Sequence, residues 1–133
     1  MTPATLATLR EALGLTHEDV ARLTDVNPRT VRRWQSPASD SPVPDDVSEV
    51  LWGLMEWVTD TVDAAVEGVE ALIEQQGHEP EIIDLTRYVD AASARRAGVT
   101  VPHSVHTAAV AQIARELHAA GIEVAVHYSP VEP

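Results

Sequence analysis

The chain of 133 residues has no cysteine. That absence excludes a disulfide framework, thiolate chemistry and cysteine-bound zinc. Lysine is missing too, so all nine basic residues are arginines. No stretch approaches the roughly 18 apolar residues of a membrane span, so no membrane partner is expected. The opening stretch "MTPATLATLREALG" lacks the basic start and long apolar core of a secretory signal. A glycine-rich phosphate loop and a nucleophile elbow are also absent. The expectation is a cytoplasmic chain that is not an enzyme and carries no cofactor.

What is present is acidic, with enough apolar content for a packed core. There are 21 acids against nine arginines, for a formal net charge of -12, and 44% of residues are hydrophobic. The charge is uneven. Residues 1–36 hold five arginines against Glu11, Glu18, Asp19 and Asp25 and are near neutral; the other 17 acids lie beyond them. Three arginines fall within the five residues Arg29 to Arg33. Such asymmetry suggests two parts with different roles. Between them, "SPASDSPVPDD" (Ser36 to Asp46) reads as a linker.

Three short helices can be read before that linker. The first, roughly Pro3 to Leu13, places Leu6, Leu9 and Leu13 at helical spacing and ends at Gly14. The second opens at Thr16, which has the spacing of a capping box with Asp19, Asp standing in place of the usual Glu. The third opens at Asn27, a strong N-cap, followed by Pro28 at a position where its missing N–H costs nothing. Val31 and Trp34 form its inward stripe, leaving Arg29, Thr30, Arg32 and Arg33 on the other faces. The segment between helices two and three is only Thr24-Asp25-Val26, and so short a joint forces a sharp angle, as in a helix-turn-helix.

The run "LGLTHEDVARLTDVNPRTVRRWQS" resembles the Cro/lambda-repressor-like (XRE-type) helix-turn-helix family. The resemblance rests on Leu13-Gly14-Leu15-Thr16, Val20-Ala21, Val26-Asn27, Thr30-Val31 and Arg33-Trp34-Gln35, about the first quarter of the chain. Two positions depart from the family pattern. Asp25 replaces the usual turn glycine, and Asp tolerates a left-handed backbone better than most residues. His17 replaces the usual Gln at the start of helix two.

The resemblance implies double-stranded DNA as partner, with the recognition helix, residues 28–35, in the major groove. It implies Arg29 and Arg33 as base readers, since Arg suits guanine edges. Pro28 and Thr30 would touch a thymine methyl or the backbone, Arg32 and His17 would contact phosphate, and Asn27 belongs to the same surface. Trp34 is expected in the core.

Beyond the linker the pattern changes. Leu51, Met55, Val58, Val62, Ala65, Val69 and Leu72 recur in steps of four and three, a heptad seam on a long helix over residues 46–77. Acids occupy its other faces. The extra apolar residues Val47, Val50, Trp52, Leu54, Trp57 and Ile73 widen the stripe beyond a two-stranded seam. The helix is therefore expected to pack on both the C-terminal segment and a second copy. Leu51, Met55, Val58, Val62, Val69 and Leu72 are the expected dimerisation residues.

The remainder reads as strand–helix–strand. "EIIDLTRY" is β-rich, a short helix lies around "DAASARR", and a helix starting at His103 or Ser104 buries Val110, Ile113, Ala114 and Leu117. "IEVAVHY" alternates, with Ile122, Val124, Val126 and Tyr128 on one side. Two strands joined by a helix can lie parallel. Edges shared with a second copy would widen the sheet.

The fold expected is α+β: an N-terminal helix-turn-helix bundle (1–36), a linker (37–45) and an acidic dimerisation or interaction unit (46–133). That layout resembles phage and plasmid repressors, antitoxins and anti-CRISPR-associated repressors. It implies a dimeric, sequence-specific DNA-binding regulator, with an antitoxin or other module that binds a partner protein as the alternative. His103 and His106 have a spacing that can chelate metal, but no neighbouring carboxylate or cysteine completes a tetrahedral set, so no metal is expected. The acidic helix lacks the Glu-x-x-His of di-metal bundles and reads as a solvated face, suited also to DNA mimicry or a basic partner.

Overall fold

Capping chemistry sets the first three helices. The structure, a computed structural model, describes residues 1–129. Helix α1 (Pro3–Ala12) starts at Thr2, whose side chain accepts from the Thr5 N–H at 3.1 Å. Its C-terminal turn is closed by Gly14 at φ 67°. Helix α2 (His17–Thr24) carries the full reciprocal cap: Asp19 N–H donates to Thr16 Oγ1 at 3.0 Å, and Thr16 N–H donates to Asp19 Oδ2 at 2.8 Å. Helix α3 (Pro28–Trp34) begins at Asn27, with Pro28 in its first position.

Between α2 and α3, Asp25 adopts φ 55°, ψ 48°, the left-handed region. It is the sole non-glycine residue at positive φ among the described residues. The Val26 N–H donates back to Ala21 O at 3.0 Å, which closes the turn.

Helix α4 (Asp45–Gln76) has 32 residues, about 48 Å at 1.5 Å per residue. Gly77, at φ 76°, ends it. Two compact units divide within this helix: Met1–Trp57, and a second beginning at Val58. The division therefore falls inside α4 and not in the stretch 37–45 read as a linker. Burial gives the reason. Val43, Val47 and Leu51 are buried, as are Leu6, Leu9, Leu13, Leu15, Val20, Ala21, Val31 and Trp34 of the same unit. The proline-rich segment thus carries a core residue, Val43. It is also tied by a turn in which Ser39 N–H donates to Ser36 O at 3.0 Å.

The second unit holds the rest of α4, strand β1 (Ile83–Arg87), helix α5 (Ala91–Arg96), helix α6 (His103–Ala119) and strand β2 (Val124–Tyr128). The strands pair in parallel, Ile83 beside Val124 through Arg87 beside Tyr128. Val58, Val62, Ala94, Val105, Ala109, Val110, Ile113, Leu117 and Ile122 are buried. The expected alternation of "IEVAVHY" is only partly realised: Ile122 is buried, but Val126 and Tyr128 are exposed. The Tyr128 ring lies under the Arg87 guanidinium, whose carbon is 5.5 Å from the ring centroid, at the end of the strand pair. The chain is α+β, with a helical N-terminal part, a long central helix and a small parallel sheet. Among the described residues, no helix is long and apolar enough to cross a membrane.

Candidate functional site

Helix α3 owes its orientation to its buried side. Val31 is fully buried and Trp34 nearly so, one turn apart on the face that meets the core. Arg29, Arg32 and Arg33 are left exposed, while Pro28 and Thr30 are half-buried. Besides Pro28 and Thr30, the other five residues expected at a DNA surface divide into three kinds.

Two are occupied by the fold. The Asn27 side chain accepts from the Arg29 backbone N–H at 2.9 Å, so it serves as the cap of α3. His17 is half-buried and its Nε2 meets Nε2 of Gln35, the C-cap residue of α3. Gln35 in turn accepts from Arg10 Nε at 3.1 Å, and Arg10 Nη1 donates to Leu15 O at 2.9 Å. Burial lowers the His17 pKa from its ordinary value; Arg10 and Arg32 add to the lowering and Glu18 opposes it.

One is paired. Arg32 Nη2 donates to Glu18 Oε1 at 2.6 Å, joining α3 to the first turn of α2. The Glu18 carboxyl lies below its ordinary value, held there by its own backbone hydrogen bond and by Arg32.

Arg29 and Arg33 form the third kind. They sit one turn apart on the exposed side of α3 and make no side-chain hydrogen bond or ion pair among the described residues. In a chain with 21 acids, two arginines one turn apart that have no acidic partner among the described residues are a notable arrangement. Arg22, exposed on α2, is paired with Asp19 at 3.4 Å.

Sequence reasoning missed the roles of Arg10, Gln35 and Glu18. Gln35 stood in the motif without a task. The pairs Arg10–Gln35 and Glu18–Arg32 are separated by 25 and 14 residues, which no local spacing rule connects.

No protein-family model matches the chain, and no curated protein matches it in sequence.

The expected dimerisation residues also divide. Leu51, Val58 and Val62 are already buried within the single chain. Met55, Val69 and Leu72 are half-buried. In the second unit a cleft of about 320 Å³ runs between α4 and α6, lined by Asp63, Glu67, Glu70 and Glu116 among others. No group of three or more His, Asp or Glu side chains is placed to hold a metal ion among the described residues. His103 and His106 both contact Tyr88. His103 Nε2 lies 2.7 Å from Tyr88 O, and the His106 ring meets the Tyr88 ring at a centroid distance of 5.2 Å.

Proposed function

We propose that the protein is a sequence-specific DNA-binding regulator of transcription. It acts as a dimer, and α3 is its recognition helix. The observation that carries this reading is the exposed couple Arg29 and Arg33, unpaired among the described residues, on a short helix that follows a left-handed turn. Two guanidinium groups one turn apart match the acceptors of guanine edges in the major groove, and each forms bidentate bonds there. Arg32, shared with Glu18, supplies a phosphate contact.

Dimerisation has a physical motive. One such helix reads only a few base pairs, whereas two copies about one turn of DNA apart read an inverted repeat. Met55, Val69 and Leu72, half-buried in the single chain, support a second copy as the cover of the α4 stripe. The acidic remainder repels phosphate wherever α3 is not docked, which favours the specific complex over non-specific ones.

The test is binding to the DNA that flanks the protein's own coding region, followed by mobility shift. A specific shift that is lost with Arg29→Ala and with Arg33→Ala supports the reading. Equal binding by wild type and both variants overturns the assignment of α3.

A further inference from the structure

We propose that Arg10, Gln35 and His17 form a proton-sensitive latch that holds α3 to the start of α2, closed only when the His17 imidazole is neutral. Hydrogen-bond polarity decides which protonation state the three side chains accept. A guanidinium only donates. Arg10 Nε points at Gln35 Oε1, at 3.1 Å, so the amide oxygen of Gln35 is committed as acceptor on that side. Its NH₂ group, a donor, is therefore the one that meets His17 Nε2. That nitrogen must accept, which fixes the neutral tautomer with its hydrogen on Nδ1.

A proton on His17 sets two donors against each other. Turning the Gln35 amide over relieves that contact but brings its NH₂ onto Arg10 Nε. One bond of the relay is lost either way. The relay joins three helices, because Arg10 lies on α1 and also holds Leu15 O at 2.9 Å, His17 opens α2, and Gln35 ends α3.

The surroundings of His17 favour the neutral ring on balance. Burial, Arg10 from α1 and Arg32 from α3 disfavour the imidazolium, and only its neighbour Glu18 favours it. The folded-state pKa thus lies below the unfolded one. The stabilisation is complete above the unfolded value and is lost as pH falls through the folded value.

The bearing of the latch on DNA binding rests on the reading of α3 above, so the experiment leaves DNA out. The full chain, labelled with ¹⁵N at histidine, is titrated from pH 8 to pH 5 by NMR, with His17→Asn used to assign the His17 signals. The wild type should show the Nδ1–H tautomer and a midpoint below the ordinary histidine value. In Gln35→Glu the new carboxylate accepts from both Arg10 and His17. Its midpoint should rise above the ordinary value, a gain of roughly tenfold or more in proton affinity over wild type. In Arg10→Met the amide is free to turn, and the midpoint should also rise. An Nε2–H tautomer in the wild type overturns the latch. So does a midpoint that neither Gln35→Glu nor Arg10→Met raises.

Discussion

Arg32 Nη2 lies 2.6 Å from Glu18 Oε1, so the third arginine of the cluster is held by an acid of the preceding helix, while Arg29 and Arg33 are not. Both partners of that pair are about half exposed, with side-chain accessibilities of 53% and 52%. Exposed pairs of this kind add little to stability. Their effect is on what Arg32 is free to touch.

Glu18→Gln should therefore leave the melting temperature almost unchanged and release Arg32 for phosphate. DNA affinity should rise for operator and unrelated sequences alike. Arg32→Ala should weaken all sequences similarly and lower the salt slope by about 1. Fluorescence anisotropy over a salt series measures both. A Glu18→Gln effect confined to one base position would contradict the phosphate role of Arg32.

The stripe of α4 separates folding from association. Leu51 is fully buried in the single chain, so Leu51→Ala should cost about 2–5 kcal/mol of stability in denaturant unfolding. Val58→Asp should unfold the protein, since a charge would be placed at a buried site. Leu72→Glu and Val69→Glu, at half-buried positions, should leave the chain folded and convert dimer to monomer in sedimentation. A folded dimer in both would remove the α4 stripe from the interface.

His106 gives the second unit its own pH dependence. Its pKa is lowered, first by burial and then by the nearby His103. A histidine with a depressed folded-state pKa favours folding fully above its unfolded value, and that contribution disappears as pH falls through the folded value. Unfolding free energy, measured in denaturant, should decline from pH 7.5 to pH 5.5. His106→Gln should flatten that decline; an unaltered slope would show that His106 does not set it.

The local features of the first unit were legible in the sequence. Thr16 with Asp19, Asn27 with Pro28, and Gly14 are local signals, each acting within a turn of chain, and each appears where its spacing places it. Asp25 was readable for the same reason, since few residues other than glycine accept its φ of 55°. The parallel pairing of β1 and β2 was an arrangement the sequence permitted, since helical sequence lies between two β-rich runs. The unit boundary was not legible, because composition marks the proline-rich segment as flexible and says nothing of Val43 being buried. The polar relay was equally hidden. Arg10, His17 and Gln35 are brought together by the packing of three helices, and no periodicity in the chain encodes that meeting. Likewise, the heptad stripe named a set of apolar positions without saying that Leu51, Val58 and Val62 are covered by the chain itself.

The central claim is that Arg29 and Arg33 read bases. Its most direct test is the affinity of wild type, Arg29→Ala and Arg33→Ala for an operator selected by the wild type from random DNA, each variant also measured on single-base substitutions. The account predicts that each variant loses about 1–3 kcal/mol on the operator and stops discriminating at one base position, different for the two. Affinities equal to wild type, or a uniform loss with discrimination intact at every position, would contradict it.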